Sequence, residues 1–245
     1  MRLRPEVAPL ILLALGYLLW LPSAGGAVFP DRTDGGVSLG QTRVIFLSTD
    51  KAQILTVNNT DSRAYLIQSR VQMAPDNTSP APFIVTPPLF TLQPGKHQLL
   101  RILLDQGDEL PADHESVFYL SVLAIPANEE KTTSQVQVSM GIRFVIKLFY
   151  RPAGLKDPSE PTTCRLRFVP VPEGVRVENP TLYFQTLGQL SFNQASVNLD
   201  RQPAMLAPLS AQTYPAPSGR IEARWRIITD YGGLSTPCEQ IVLSK

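Results

Sequence analysis

Side chains suited to metal binding or nucleophilic attack are scarce in this 245-residue chain, which has two cysteines and two histidines. Cys164, Cys238 and the distant His97 and His114 form no zinc-ligand spacing, so no metal site is expected. There is no G-x-S-x-G, no phosphate-binding glycine loop and no H-E-x-x-H. Both histidines fall in turn-like contexts, one after Pro94-Gly95 and one after Pro111. Acidic pairs such as Asp108-Glu109 and Glu129-Glu130 read as solvated loop charge. No catalytic constellation and no cofactor site follow from these residues, so an enzyme is not expected.

Excess charge of one sign is missing as well. The formal net charge is +1, and the first 27 residues hold two of the 22 basic and one of the 21 acidic residues, so the chain beyond them is neutral. With no basic tract, nucleic acid is not an expected partner. No segment sustains helical periodicity over three turns, and 23 prolines argue against long helices. Beyond Pro22 no apolar run is long enough to cross a bilayer.

At the N-terminus, Arg2 and Arg4 precede the apolar run LILLALGYLLWLP, which ends at Pro22 and is followed by the small residues SAGGA. This order describes a secretory signal peptide over residues 1–27, cleaved near Ala27. A membrane anchor would need about 20 apolar residues, more than the run supplies. Both cysteines lie in the exported part, and an even pair in an oxidising compartment is most simply a disulfide, Cys164–Cys238. Asn77-Thr78-Ser79 is a glycosylation sequon that only eukaryotic secretion would use.

The rest reads as all-β: short alternating segments separated by turn residues. They include RVIFLS (43–48), QILTVNN (53–59), AYLIQSRVQM (64–73), FIVTPPLFTL (83–92), HQLLRILLD (97–105) and SVFYLSVLAI (116–125). After Pro152 the stretch AGLKDPSEPTT reads as a linker. A second β series follows: RLRFVPV (165–171), GVRVENP (174–180), LYFQTLGQL (182–190), ASVNLD (195–200), ARWRIITDYGG (223–233) and QIVLS (240–244). Seven strands at this spacing fit an immunoglobulin-like sandwich. The expected organisation is two such domains, 28–152 and 162–245, joined by a linker over 153–161.

The stretch VQVSMGIRFVIKLFYRP (136–152) is unusual. Every even position from Val136 to Tyr150 is apolar or aromatic, and the odd positions turn apolar around Lys147. As one strand it would run about 55 Å, against an ordinary length of about 5–6 residues. One sandwich face cannot cover that length, so Val136, Val138, Met140 and Ile142 should project past their own core. An exposed apolar edge invites aggregation, so its presence implies a partner.

Several blocks resemble the periplasmic PapD-like chaperones of the chaperone–usher pilus pathway. They are IKLFYRP (146–152), LPADHESVFYLSVLAIPA (110–127), TPPLFTLQPGKHQLLRI (86–102), ENPTLYF (178–184), MLAPLS (205–210) and ITDYGG (228–233). In their order they span essentially the whole chain after residue 27. Ser121, Leu123-Ala124 and Ala127 depart from the residues usual in that family.

The resemblance implies two immunoglobulin-like sandwiches in a boomerang, in a periplasmic protein that binds pilus subunits and delivers them to an outer-membrane usher. It implies that Val136, Val138, Met140 and Ile142 donate a strand to a subunit lacking its own last strand. It assigns Arg43 and Lys147 to the subunit's C-terminal carboxylate, and Glu115, Arg151 and Asp230 to an inter-domain ion network. The short segment NEEKTTSQVQ before the stripe is similar to the short-loop subclass. The alternative is a structural immunoglobulin-like surface protein or pilus subunit, which would need an incomplete sandwich and a free N-terminal donor segment.

Overall fold

The computed structural model describes residues 35–105, 110–127, 140–155 and 164–243. Residues 1–27, Val136 and Val138 lie outside that set. Among the described residues every regular element is a strand, eighteen in all.

The first ten are β1 (Val37–Leu39), β2 (Arg43–Leu47), β3 (Gln53–Asn59), β4 (Tyr65–Ala74), β5 (Asn77–Pro80), β6 (Phe83–Thr86), β7 (Leu89–Leu92), β8 (His97–Leu104), β9 (Ser116–Pro126) and β10 (Ile142–Arg151). They form two sheets, β1-β3-β8-β6 and β2-β10-β9-β4-β5, with β7 also on β4. Strand side chains alternate between faces. The inward set, including Val44, Phe46, Leu55, Ile67, Leu100, Leu120 and Leu148, closes one core. Within it Phe46, Phe83, Phe118 and Tyr150 pack ring against ring, with centroids 5.2–6.5 Å apart.

The remaining eight are β11 (Arg167–Val171), β12 (Gly174–Glu178), β13 (Gln185–Phe192), β14 (Ala195–Ser196), β15 (Met205–Leu206), β16 (Ala211–Tyr214), β17 (Ile221–Ile227) and β18 (Cys238–Val242). Their sheets are β11-β12-β16 and β14-β13-β17-β18, with β15 on β13. A second core sits between them around Phe168, Phe192, Tyr214 and Trp225. Cys164 and Cys238 are disulfide-bonded, joining the approach to β11 to the first residue of β18. Beside the bridge, the Gln240 carboxamide accepts from the Phe168 N–H (3.2 Å) and donates to its carbonyl (3.0 Å). One side chain thus supplies the two hydrogen bonds that a strand neighbour would give Phe168.

Both sandwiches use one buried asparagine in the same way. Asn59 donates to the carbonyls of Arg63, Leu92 and Gln93 and accepts from the Asp61 N–H. Asn179 donates to those of Tyr183, Leu206 and Ala207 and accepts from the Thr181 N–H. Each amide gathers several backbone carbonyls at once, groups that would cost about 1–3 kcal/mol each if left buried and unpaired.

The sequence expectation differs from the structure in several places. FIVTPPLFTL is two strands in opposite sheets, because Pro87 and Pro88 have no N–H to continue a ladder. The short strands β1, β5, β15 and β16 carry too few alternating residues to stand out in the sequence. Among the described residues of the long stripe, the strand begins at Ile142. Met140 and Gly141 are described and lie outside any strand. Opposite them β9 ends at Pro126, and glycine adds no side-chain packing to hold an extended conformation.

Candidate functional site

The site lies on the outward face of β10 and β2. β2 pairs with β10 in parallel from Lys147↔Arg43 to Arg151↔Leu47, whereas β9 pairs with β10 along Ile142–Tyr150. One edge of β10 over 142–146 therefore has no strand beside it among the described residues. On that segment the apolar stripe emerges from the core. Leu148 is fully buried, Ile146 and Phe144 are partly buried against the core, Ile142 is 54% exposed and Met140 80% exposed. The open edge ends where Arg43 pairs with Lys147, and the exposed part of the stripe lies on the N-terminal side of that pair.

Arg43 is held by two contacts. Its Nη1 donates to the Ile228 carbonyl at 3.1 Å, and its guanidinium lies 5.7 Å from the centre of the Phe149 ring. Its Nε is buried with no hydrogen-bond partner. Burial pulls its pKa down, and the carboxylates of Asp230 and Glu115 only partly offset this. Lys147, half-buried, makes no hydrogen bond or ion pair among the described residues. Burial first, and the neighbouring Arg43 charge second, hold its ammonium below the ordinary lysine value. Two under-solvated cations side by side form a site that an anion relieves.

Arg151, four residues along β10, joins Glu115 to Asp230. Its Nε donates to Glu115 Oε1 at 2.7 Å, while Nη1 and Nη2 fork onto Asp230 at 2.7 and 2.8 Å. Glu115 Oε2 accepts the Phe184 N–H at 2.7 Å, and the Glu115 N–H donates to the Leu182 carbonyl at 2.9 Å. Burial pushes the Glu115 carboxyl upward, against the pull of Arg151 and the Phe184 N–H. Burial also works against the Arg151 charge, but Asp230 and Glu115 outweigh it and hold its pKa above the ordinary arginine value. The three residues thus join strands of the first sandwich to the segment before β13 and the turn after β17. That turn needs Gly232, whose φ is +83° and where a side chain would collide with the Thr42 hydroxyl.

A cavity of about 220 Å³ beside this network is lined by Arg43, Phe149, Arg151, Tyr183, Phe184 and Asp230, among others. Some of these residues were not singled out from the sequence. Phe149 packs on Phe184 with ring centroids 5.9 Å apart, and Tyr183 lies under the Arg151 guanidinium at 5.4 Å. The signal for Phe149 is present in the sequence, where the odd positions of the stripe turn apolar around Lys147. The carbonyl of Ile228 leaves no such mark.

Residues 36–156 match the family described as pili and flagellar-assembly chaperone, PapD N-terminal domain, and residues 162–238 match the pili assembly chaperone PapD, C-terminal domain. The chain is 36% identical over 206 residues to the chaperone protein FimC of Escherichia coli K12, covering 83% of each. Among solved structures it is similar to the E. coli chaperone DraB, at 33% identity and a TM-score of 0.73, over 84% of this chain and 98% of that one. It is also similar to a chain of the Salmonella enterica complex of SafA pilin with the SafB chaperone, at 32% identity and a TM-score of 0.75, over 84% and 96%. This all-β chain of two immunoglobulin-like sandwiches belongs to the PapD-like pilus-assembly chaperones.

Proposed function

We propose that this protein is a periplasmic chaperone that caps pilus subunits by lending them a strand, holding the subunit's C-terminal carboxylate at Arg43 and Lys147. The observation that carries the reading is the open edge of β10 over 142–146, which stops where β2 begins. A subunit strand added there in the sense of β2 would run parallel to β10 and end at Lys147, its carboxylate facing the two cations. Strand addition gives affinity through main-chain hydrogen bonds and specificity through alternate side chains, and chaperone–pilin donor-strand complementation is an established instance. Met140 and Ile142, with Val136 and Val138 ahead of them, supply the apolar stripe for the subunit's groove.

The same reading makes Glu115, Arg151 and Asp230 the brace that sets one domain against the other. The domains are 28–152 and 162–245, joined by a linker over 153–161, and the two separate cores support that division. Residues 1–27 are the export signal. Delivery to an outer-membrane usher completes the role, as family membership suggests. The action is binding without catalysis, and no metal or cofactor takes part.

The test is periplasmic expression with a candidate pilin, followed by affinity purification. The expected result is a complex that survives washing and dissociates only in denaturant or by strand exchange. A chaperone recovered alone under conditions where the pilin is folded and abundant would overturn the reading.

A further inference from the structure

The carboxylate site extends one strand further than the two cations. Lys147 faces Arg43 on β2 and, on its other side, Tyr119 on β9. Directly opposed residues in a sheet point to the same face, with their Cβ atoms about 4.5–5.5 Å apart. Arg43, Lys147 and Tyr119 are therefore neighbours in one row across three strands. The next residue in the row, Gln72 of β4, is fully buried. Its carboxamide is taken up by the carbonyls of Ala74 and Pro75 and by Arg70 Nε. Tyr119 is thus the last free polar group of the row. It is half-buried, and its hydroxyl makes no hydrogen bond among the described residues. The flanking row on the same face, Ile45–Phe149–Val117, is apolar.

We propose that Tyr119 is a third member of the carboxylate anchor, its hydroxyl donating to the terminal carboxylate of the bound subunit alongside Lys147 and Arg43. A carboxylate presents about four lone-pair sites, so one ammonium and a guanidinium already tied to the Ile228 carbonyl leave room for a further donor. Lysine and tyrosine side chains reach similar heights above a sheet, so the ammonium and the hydroxyl converge on one anion. Burial pushes the Tyr119 pKa up, so the hydroxyl keeps its proton across the neutral range. This inference rests on the carboxylate-anchor reading above.

The experiment compares wild-type protein, Tyr119→Phe and Lys147→Ala. The probe is a short synthetic peptide alternating valine and threonine behind an N-terminal lysine pair, made as free acid and as C-terminal amide. Phenylalanine keeps the ring and removes only the O–H, and a thermal melt checks that the fold is unchanged. Tyr119→Phe should weaken the free acid about tenfold, the size expected of one hydrogen bond to a charged group, and leave the amide unchanged. Equal weakening of both peptides, or of neither, overturns the role of Tyr119. If wild-type protein does not prefer the acid to the amide, or if Lys147→Ala costs nothing, the underlying anchor reading falls whatever Tyr119 does.

Discussion

Lys147 stands directly across from Arg43 in a parallel ladder, two cations on adjacent strands with no carboxylate bonded to the lysine among the described residues. Such a pair is unfavourable in the free protein, since each charge raises the cost of the other and burial removes water from both. Under the proposed function it is one half of an ion cluster whose other half arrives with the ligand.

A pH dependence follows. In the free protein the Lys147 pKa is lowered, by burial first and Arg43 second, and a bound carboxylate would raise it again. Affinity for a free-acid peptide should be full below the free-state pKa and decline as pH rises through it, starting before an ordinary lysine would titrate. Lys147→Arg, which keeps its charge, should flatten the profile. Titrations from about pH 7 to about pH 10 decide this, and an affinity constant across that range with Lys147 in place would count against the anchor.

Arg151 makes a different prediction. Glu115 is almost completely enclosed, and Arg151 supplies its only ion pair among the described residues. Arg151→Ala should destabilise the protein by about 3–5 kcal/mol, because a buried carboxylate is left uncompensated. Asp230→Asn should cost less, since that side chain is about a third exposed and water can replace part of the fork. Denaturant unfolding of both variants gives the order. A harmless Arg151→Ala would mean that the brace carries no load.

The disulfide closes a separation of 74 residues and lies beside the Gln240–Phe168 stitch. Replacing both cysteines with serine should lower stability by about 4 kcal/mol in the chain-entropy picture, an upper figure. The loss should fall on the second core, because Cys238 is packed within it. Hydrogen exchange read domain by domain would reveal a uniform loss, which this account does not allow.

Much of this was legible in the sequence because alternation is a strong signal wherever one strand face is buried. The segment QILTVNN coincides with β3, and HQLLRILLD overruns β8 by one residue. That Met140 and Gly141 lie outside any strand was not legible. Periodicity records which residues are apolar, but a strand persists only while a neighbour hydrogen-bonds to it, and that depends on where β2 begins and β9 ends. Arg43, Lys147 and the three brace residues came from resemblance, since a lone arginine or lysine in a strand looks the same whether it binds a ligand or faces water. Tyr119 escaped altogether because its neighbour Lys147 is 28 positions away, and only the register brings the two together.

The stripe itself gives the sharpest test. Ile142 and Leu148 share a face of β10 and differ in what covers them, since Leu148 is fully buried while Ile142 is 54% exposed. Leu148→Glu places a carboxylate in the core, at a cost of several kcal/mol against a total stability of about 5–15 kcal/mol, and should unfold the first sandwich. Ile142→Glu keeps its charge in water in the free protein and should melt close to wild type. In a complex the same charge would have to enter an apolar groove, so subunit capture should collapse although the fold is intact. Thermal unfolding and pilin co-purification on the two variants separate these effects. If Ile142→Glu melts the free protein, the residue belongs to the core; if it folds and still captures pilin, the stripe is not what the subunit grips.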